Sequence, residues 1–315
     1  MTVAQPDTLP RLGFAGVGWI GRNRMEAIVR SGAGDVAGIC DPAVEGCLAS
    51  FDELLELELD GLVIASPSAL HAEQTIAALE RGRAVFCQKP LAVDAAQARR
   101  VVDAARTADR LLMLDLSYRW TQAARSVRDL VRSDELGEVY AVELAFHNAY
   151  GPDKEWFYDR RVSGGGCVVD LGVHLIDLAL WTLGFPNVAG VQAHLHGGDV
   201  EDYASAQLEL DCGAVVRLAC SWRLHAGRDC VLDARFYGTR GGAGFRNVLG
   251  SFYDLVAERY DRTRTSAIVE PPDEWGGRAA VEWAQRVSAG DRFDPAAAEL
   301  VAVHDVIDRI YGARR

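Results

Sequence analysis

Between Leu12 and Asp115, short apolar runs alternate with segments of helical periodicity. Few architectures other than a parallel sheet with helices on both faces accommodate that rhythm. Strands are expected near residues 11–16, 36–40, 61–65, 84–88 and 111–115. The gaps fit helices: 21–31 behind a glycine turn, 71–81 with apolar residues at helical spacing, and 94–108 with Asp94 as candidate N-cap. A chain of 315 residues outgrows one such core, so a second domain is expected after about residue 117.

The first strand runs into Gly16-Val-Gly18-Trp19-Ile20-Gly21, a GxGxxG at a strand-to-helix junction. Gly16 permits the tight turn, Gly18 lets the backbone approach a pyrophosphate, and Gly21 lets the new helix pack closely on its strand. The second strand ends in Asp41, twenty residues beyond Gly21, where a carboxylate accepts from the ribose hydroxyls of a dinucleotide. Residues 42–60 contain no base to neutralise a 2'-phosphate, so the pattern favours NAD over NADP.

Beyond Leu116 the rhythm changes. A helix near 121–133 precedes strands at 140–146, 188–196, 203–211, 214–222 and 230–237, joined by tight or charged turns as in a largely antiparallel sheet. One strong helix, 167–183, lies between them, approached through Ser163-Gly-Gly-Gly166 and left at Gly184-Phe-Pro186. Residues 239–280 read as irregular surface, and a last helix spans roughly 296–311.

Of the 33 basic residues, 31 are arginine and two, Lys89 and Lys154, are lysine. Lys89 follows the fourth strand in Gln88-Lys89-Pro90. It therefore sits at a carboxyl end that faces the ligand crevice of an open parallel sheet, where an ammonium donates to a hydroxyl or ketone oxygen. On the helix 167–183, Asp170, His174 and Asp177 fall at i, i+4 and i+7, one face if the helix is regular. A histidine between two aspartates suits proton transfer. Tyr118, Arg119, Lys154 and Asp177 are candidate substrate contacts, with Trp156 and Tyr158 nearby.

The formal charge of -12 argues against nucleic acid and anionic lipid as partners. Seven scattered cysteines with no metal-ligand spacing suggest a reduced, cytoplasmic chain without a bound metal. The first dozen residues lack the pattern of an export signal, and no apolar run suggests a membrane span.

Together these motifs resemble the Gfo/Idh/MocA oxidoreductases. The resemblance rests on the GxGxxG of 16–21, on Ser66-Pro67 followed by His71 and Gln88-Lys89-Pro90, and on the run from Gly164 through Asp170, Gly172 and His174 to Asp177. It implies an α/β fold with an N-terminal Rossmann domain, 1–117. A C-terminal α/β domain, 118–315, would carry a large, mostly antiparallel open sheet used for oligomerisation, in a homodimer or homotetramer. It also implies reversible hydride transfer between NAD(P) and a hydroxyl of a sugar or polyol, with Lys89, Asp170 and His174 as catalytic residues. Gly16, Gly18, Trp19, Ile20, Gly21, Asp41, Ser66, Pro67, His71 and Gln88 would line the cofactor site. Two positions depart from the pattern: Gln88 replaces the usual glutamate, and Ser68 stands where asparagine is common. A dinucleotide-binding sensor without turnover, or a glycoside hydrolase working through transient oxidation, shares these motifs. Retention of Lys89, Asp170 and His174 together favours catalysis.

Overall fold

The computed structural model describes residues 9–313, which form two compact units. The first contains a five-stranded parallel sheet in the order β2-β1-β3-β4-β5. Its strands are β1 (Arg11–Ala15), β2 (Asp35–Cys40), β3 (Gly61–Ile64), β4 (Ala84–Cys87) and β5 (Leu112–Leu114). Helices α1 (Trp19–Ser31), α2 (Phe51–Leu55), α3 (Ser68–Glu80) and α4 (Ala95–Ala108) form the connections. Asp94 caps α4, its carboxylate accepting from the Gln97 N–H at 2.7 Å, and Gly32 ends α1 in the left-handed region at φ 67°. β3 and β4 are buried along their whole length, as a sheet covered on both faces requires. The chain goes from β1 to β2 on one side and returns to β3 on the other, so the switch point lies at the carboxyl ends of β1 and β3.

The second unit begins with α5 (Gln122–Arg132) and is dominated by an eight-stranded sheet in the order β13-β12-β11-β10-β6-β9-β8-β7. The first of its strands, β6 (Val139–Asn148), pairs in parallel with β9; every other pairing is antiparallel. A short helix, α6 (Arg160–Ser163), and a π-helical turn, Val168–Gly172, lead into α7 (Val173–Leu183). The remaining strands are β7 (Val188–Gly197), β8 (Glu201–Leu210), β9 (Val215–Ser221), β10 (Cys230–Gly238), β11 (Gly242–Asn247), β12 (Leu255–Asp261) and β13 (Arg264–Val269). One face of this sheet packs Leu144, Phe146, Leu208, Val216, Leu218 and Phe236 into a core that includes α7. The alternate positions carry Glu143, His147, Gln192, His194, Gln207, Arg217, Asp233 and Arg235 and line a broad cavity of about 1010 Å³.

The chain then returns to the first unit with α8 (Arg278–Ser288) before closing with α9 (Ala298–Gly312). Residues 276–301 belong to the first unit, so the expected contiguous second domain, 118–315, is corrected. The cause is apolar burial. Trp283 is fully buried, lies 5.8 Å from the Phe86 ring, and covers Gly61 so closely that a Cβ there would sit 2.8 Å from its ring.

A second correction concerns 239–280, expected to be irregular and found to contain β11, β12, β13 and the start of α8. Gly244, a turn signal in isolation, is required by strand pairing: a Cβ there would stand 2.6 Å from the Ala234 carbonyl oxygen. β13 is exposed along nearly its whole length, so it carries no apolar alternation.

Candidate active site

The first unit gathers its candidate residues at the carboxyl ends of its strands. Gly16 has φ 88°, and a Cβ on it would lie 2.5 Å from the Ala65 carbonyl oxygen, so the turn after β1 is pressed against the turn after β3. A Cβ on Gly21 would lie 2.1 Å from the Gly16 carbonyl oxygen, so α1 starts hard against the turn. At Gly18 nothing stands within 4 Å of the same test atom. The start of α1 is thus open to an anion while its two flanking glycines are packed, which fits a dinucleotide pyrophosphate. Trp19 is 74% exposed, and Ile20 is half-buried.

Asp41 is bound into the same turn. Its Oδ2 accepts from the Val17 N–H at 2.8 Å and its Oδ1 from the Ala43 N–H at 2.9 Å. These bonds orient the carboxylate and leave lone pairs for ribose hydroxyls. Ser66 donates its hydroxyl to Gln74 Oε1 at 2.6 Å, and Pro67 leads into α3.

His71, on α3, bridges two turns: Nδ1 lies 2.6 Å from the Pro90 carbonyl oxygen and Nε2 2.7 Å from that of Ser66. The ring ties the Lys89-Pro90 turn, whose peptide bond is cis, to the turn after β3. Burial pulls the imidazole below its ordinary range. The two carbonyls, which favour imidazolium, oppose that fall, and the nearby Lys89 charge adds to it. A base depressed by folding binds fewer protons folded than unfolded, so its contribution is present above the unfolded imidazole range and lost as pH falls through the depressed value. Melting temperature should therefore decline by several degrees on the acid side of neutrality, and His71→Gln should flatten that limb. A parallel decline in the variant would contradict the assignment.

Gln88 and Lys89 follow β4. Gln88 is 6% exposed and donates through Nε2 to Asp115 Oδ2 at 2.5 Å, and the same oxygen accepts from Arg24 Nε at 2.6 Å. Lys89 is half-buried.

In the second unit the glycine-rich run is a packed cradle. A Cβ on Gly165 would lie 1.9 Å from the Tyr311 hydroxyl, and one on Gly166 1.9 Å from the Glu201 carbonyl oxygen. Glu201 is 3% exposed. Its Oε1 accepts from the Gly166 and Val168 N–H groups, both at 3.0 Å, and from the Tyr311 hydroxyl at 2.8 Å. It thus satisfies amides at the start of the π-helical turn, as a capping carboxylate does. Burial and the Glu201 carboxylate both push the Tyr311 phenol well up, so it remains a donor.

The expected regular helix 167–183 is corrected by the π-helical turn Val168–Gly172, which removes Asp170 from a simple α-helical offset to His174. Each member of the triplet has its own neighbour. Asp170 Oδ2 accepts from the Trp222 indole N–H at 2.8 Å. The His174 ring, 7% exposed, lies edge-on to Tyr118 with centroids 5.0 Å apart. Asp177, 1% exposed, takes a bidentate contact from Arg119, with Nε 3.0 and 2.9 Å from its two oxygens. Burial raises the Asp177 carboxyl and the arginine pulls against that rise. Arg119 and Asp177, two candidate substrate contacts, are therefore partners of each other. Tyr118 is buried against Phe146 and Trp275, and burial pushes its phenol up. Lys154 is exposed, 3.7 Å from Asp153.

Trp222, fully buried just past β9, had no motif to announce it. If its indole aims Asp170, Trp222→Phe should keep the fold and lower kcat by roughly tenfold with little change in KM; an equal loss in both parameters would point to general disorder. Among the described residues no cluster of His, Cys, Asp and Glu could hold a metal.

Known proteins place the chain in a family. Residues 11–116 match the model of an oxidoreductase family with an NAD-binding Rossmann fold, and 124–243 match the GFO/IDH/MocA C-terminal domain. The chain is 30% identical to a D-glucoside 3-dehydrogenase of Escherichia coli K12 across 60% of each protein, so the match spans less than two thirds of that relative. It is also 30% identical to a 1,5-anhydro-D-fructose reductase of Ensifer adhaerens, over 80% of this chain and 71% of that one. In three dimensions it is similar to GenD2 from gentamicin A biosynthesis, solved with NAD. That likeness has a TM-score of 0.84 at 24% identity, over 99% of this chain and 95% of that one. The chain belongs to the Gfo/Idh/MocA oxidoreductases and carries their NAD(P)-binding Rossmann domain.

Proposed function

We propose that the protein is an NAD-dependent dehydrogenase that oxidises a secondary hydroxyl of a sugar, glycoside or polyol, and reduces the corresponding ketone in reverse. The observation that carries this reading is the presence together of the open glycine cradle at Gly18, the lysine after β4, Asp170 within the π-helical turn and His174 just after it. The names of relatives, a D-glucoside dehydrogenase and an anhydrofructose reductase among them, support the substrate class.

The dinucleotide would be held by Gly16, Gly18, Trp19, Ile20 and Gly21 at its pyrophosphate, by Asp41 at its ribose, and by Ser66, Pro67, His71 and Gln88 around the turns after β3 and β4. When bound it supplies the hydride acceptor. The chain's own groups do the rest. His174 takes the proton from the substrate hydroxyl as general base, and the Asp170 carboxylate, aimed by Trp222, stabilises the imidazolium that results. Lys89 donates to a substrate oxygen on which negative charge develops. The ring of His174 is held by Tyr118, so its orientation is set before substrate arrives.

Two features support NAD: a carboxylate at Asp41, bound into the glycine turn, would meet a 2'-phosphate with like charge, and residues 42–60 hold no cation to offset it. Titration should show NAD bound at least tenfold tighter than NADP, with Asp41→Ser narrowing the gap by about that factor. Equal affinities in the parent protein would contradict the ribose assignment.

Seven free thiols fit a reducing, cytoplasmic location. The open face of the second sheet, with Glu143 and Asp233 beside Arg217 and Arg235, suits a second copy of the chain. A homodimer or homotetramer in light scattering would support that reading. The experiment for the function itself is a panel of glycosides, anhydrosugars and inositols mixed with NAD, read by the absorbance of the reduced nicotinamide. Turnover with a member of the panel is the expected result; NAD binding with no reduction by any of them would favour a sensor.

A further inference from the structure

A buried polar cluster in the first unit joins three elements that carry no common motif. Arg24 on α1 is 5% exposed, Gln88 after β4 is 6% exposed, and Asp115 after β5 is 1% exposed. Asp115 Oδ2 receives Arg24 Nε at 2.6 Å and Gln88 Nε2 at 2.5 Å, while its Oδ1 receives the Ser117 hydroxyl at 2.6 Å. Arg24 also donates to Ser117 Oγ at 3.0 Å and to Asn23 Oδ1 at 2.7 Å. The cluster holds one arginine and one carboxylate, so its buried charge sums to zero.

A carboxylate accepts only, so the amide of Gln88 must present nitrogen to Asp115 and keep its carbonyl oxygen on the other side. Glutamate at position 88 would set two carboxylates at the distance of the present hydrogen bond, which forces them to share a proton or separate. Residue 88 also precedes Lys89, so a shift of the amide carries the lysine turn with it.

We infer that Asp115, backed by Arg24, is a positioning residue that fixes the Gln88 amide with its oxygen as the acceptor for a nicotinamide-ribose hydroxyl, and that it requires residue 88 to be neutral. The inference rests on the proposed dinucleotide reading. It places the carboxylate of this corner just past β5, with a neutral amide just past β4. Moving the charge should then be tolerated where adding or removing it is not. Gln88→Glu adds a negative charge, Asp115→Asn removes one and strands Arg24, and the double variant restores neutrality with the carboxylate on the other strand.

The test is a double-mutant cycle on the full chain, with NAD as probe. Binding is followed by tryptophan fluorescence, since Trp19 lies exposed in the glycine turn, and apo-protein melting is measured beside it. Gln88→Glu should weaken NAD binding by about thirtyfold at mildly alkaline pH, with recovery as pH falls and the carboxyl pair takes up a proton. Asp115→Asn should weaken it by about tenfold with no such pH dependence. Gln88→Glu with Asp115→Asn should return to within roughly threefold of the parent, and its apo melting temperature should exceed that of either single variant. A purely structural role for Asp115 predicts lower melting temperatures with unchanged NAD affinity well below the transition, and that result would overturn the inference. So would a double variant no better than Gln88→Glu. If Gln88→Glu does not fold, Asp115→Asn and the double variant decide alone: weak binding in the first and recovery in the second support the inference, and any other pairing refutes it. If the parent chain fails to bind NAD, the functional reading fails by itself. The apo melting cycle then tests the charge-exchange half of the inference independently, since additive losses there would refute it.

Discussion

Lys89→Met is expected to lower kcat for sugar oxidation by about a thousandfold while changing the dissociation constant of NAD by less than about threefold. Methionine matches the length of the lysine stem and removes only the donor charge, so packing against the turn after β4 is kept. The loss should fall on kcat and kcat/KM together, because the ammonium is needed most when charge develops on the substrate oxygen. Stopped-flow measurement of nicotinamide reduction with saturating NAD checks it. Near-parental turnover would remove Lys89 from the mechanism, and the two-lysine bias of the chain would then have no chemical meaning at this position.

The second large effect is on stability. Gly166→Ala places a methyl group 1.9 Å from the Glu201 carbonyl oxygen, a backbone atom that no rotamer change can move. It also disturbs the amide that donates to Glu201 Oε1. Overpacking against backbone together with a disturbed buried carboxylate should cost about 3 kcal/mol, or a fall of roughly 6–12 °C in melting temperature for a unit of this size. Gly198→Ala is the matched control, since nothing lies within 4 Å of a Cβ there, and should shift melting by no more than a degree or two. Thermal denaturation of both variants checks the pair; equal behaviour would mean that the glycine run is a flexible turn.

That contrast separates what the sequence makes legible from what only the folded chain brings together. The GxGxxG turn, Asp41 and the caps of α4 and α7 were legible because each is a short-range device whose parts sit at fixed offsets. The Ser163-to-Gly166 run was read as a helix approach, but the reason for its glycines was hidden. Their neighbours, Glu201 and Tyr311, are 35 and 145 residues from Gly166. Asp115 and Arg24 were invisible for the same reason, being 91 residues apart. The π-helical turn could not be read from apolar periodicity, because Val168, Val169, Leu171 and nearly every residue of α7 are buried, leaving no apolar stripe whose phase an extra residue would shift. β11 was missed because its glycines serve strand pairing, and β13 because an exposed edge has no apolar face. Residues 276–301 gave no sign in the sequence of which unit Trp283 would join.

The proposed chemistry is hydride transfer from a sugar carbon with Lys89 and His174 as the acting side chains. The most direct test uses a glycoside deuterated at the oxidised carbon, incubated with NAD and the parent chain, with mass analysis of the recovered nicotinamide. Deuterium should appear in the reduced cofactor and vanish in both Lys89→Met and His174→Ala. Absence of label in the parent while ketone accumulates, or label undiminished in both variants, would contradict it.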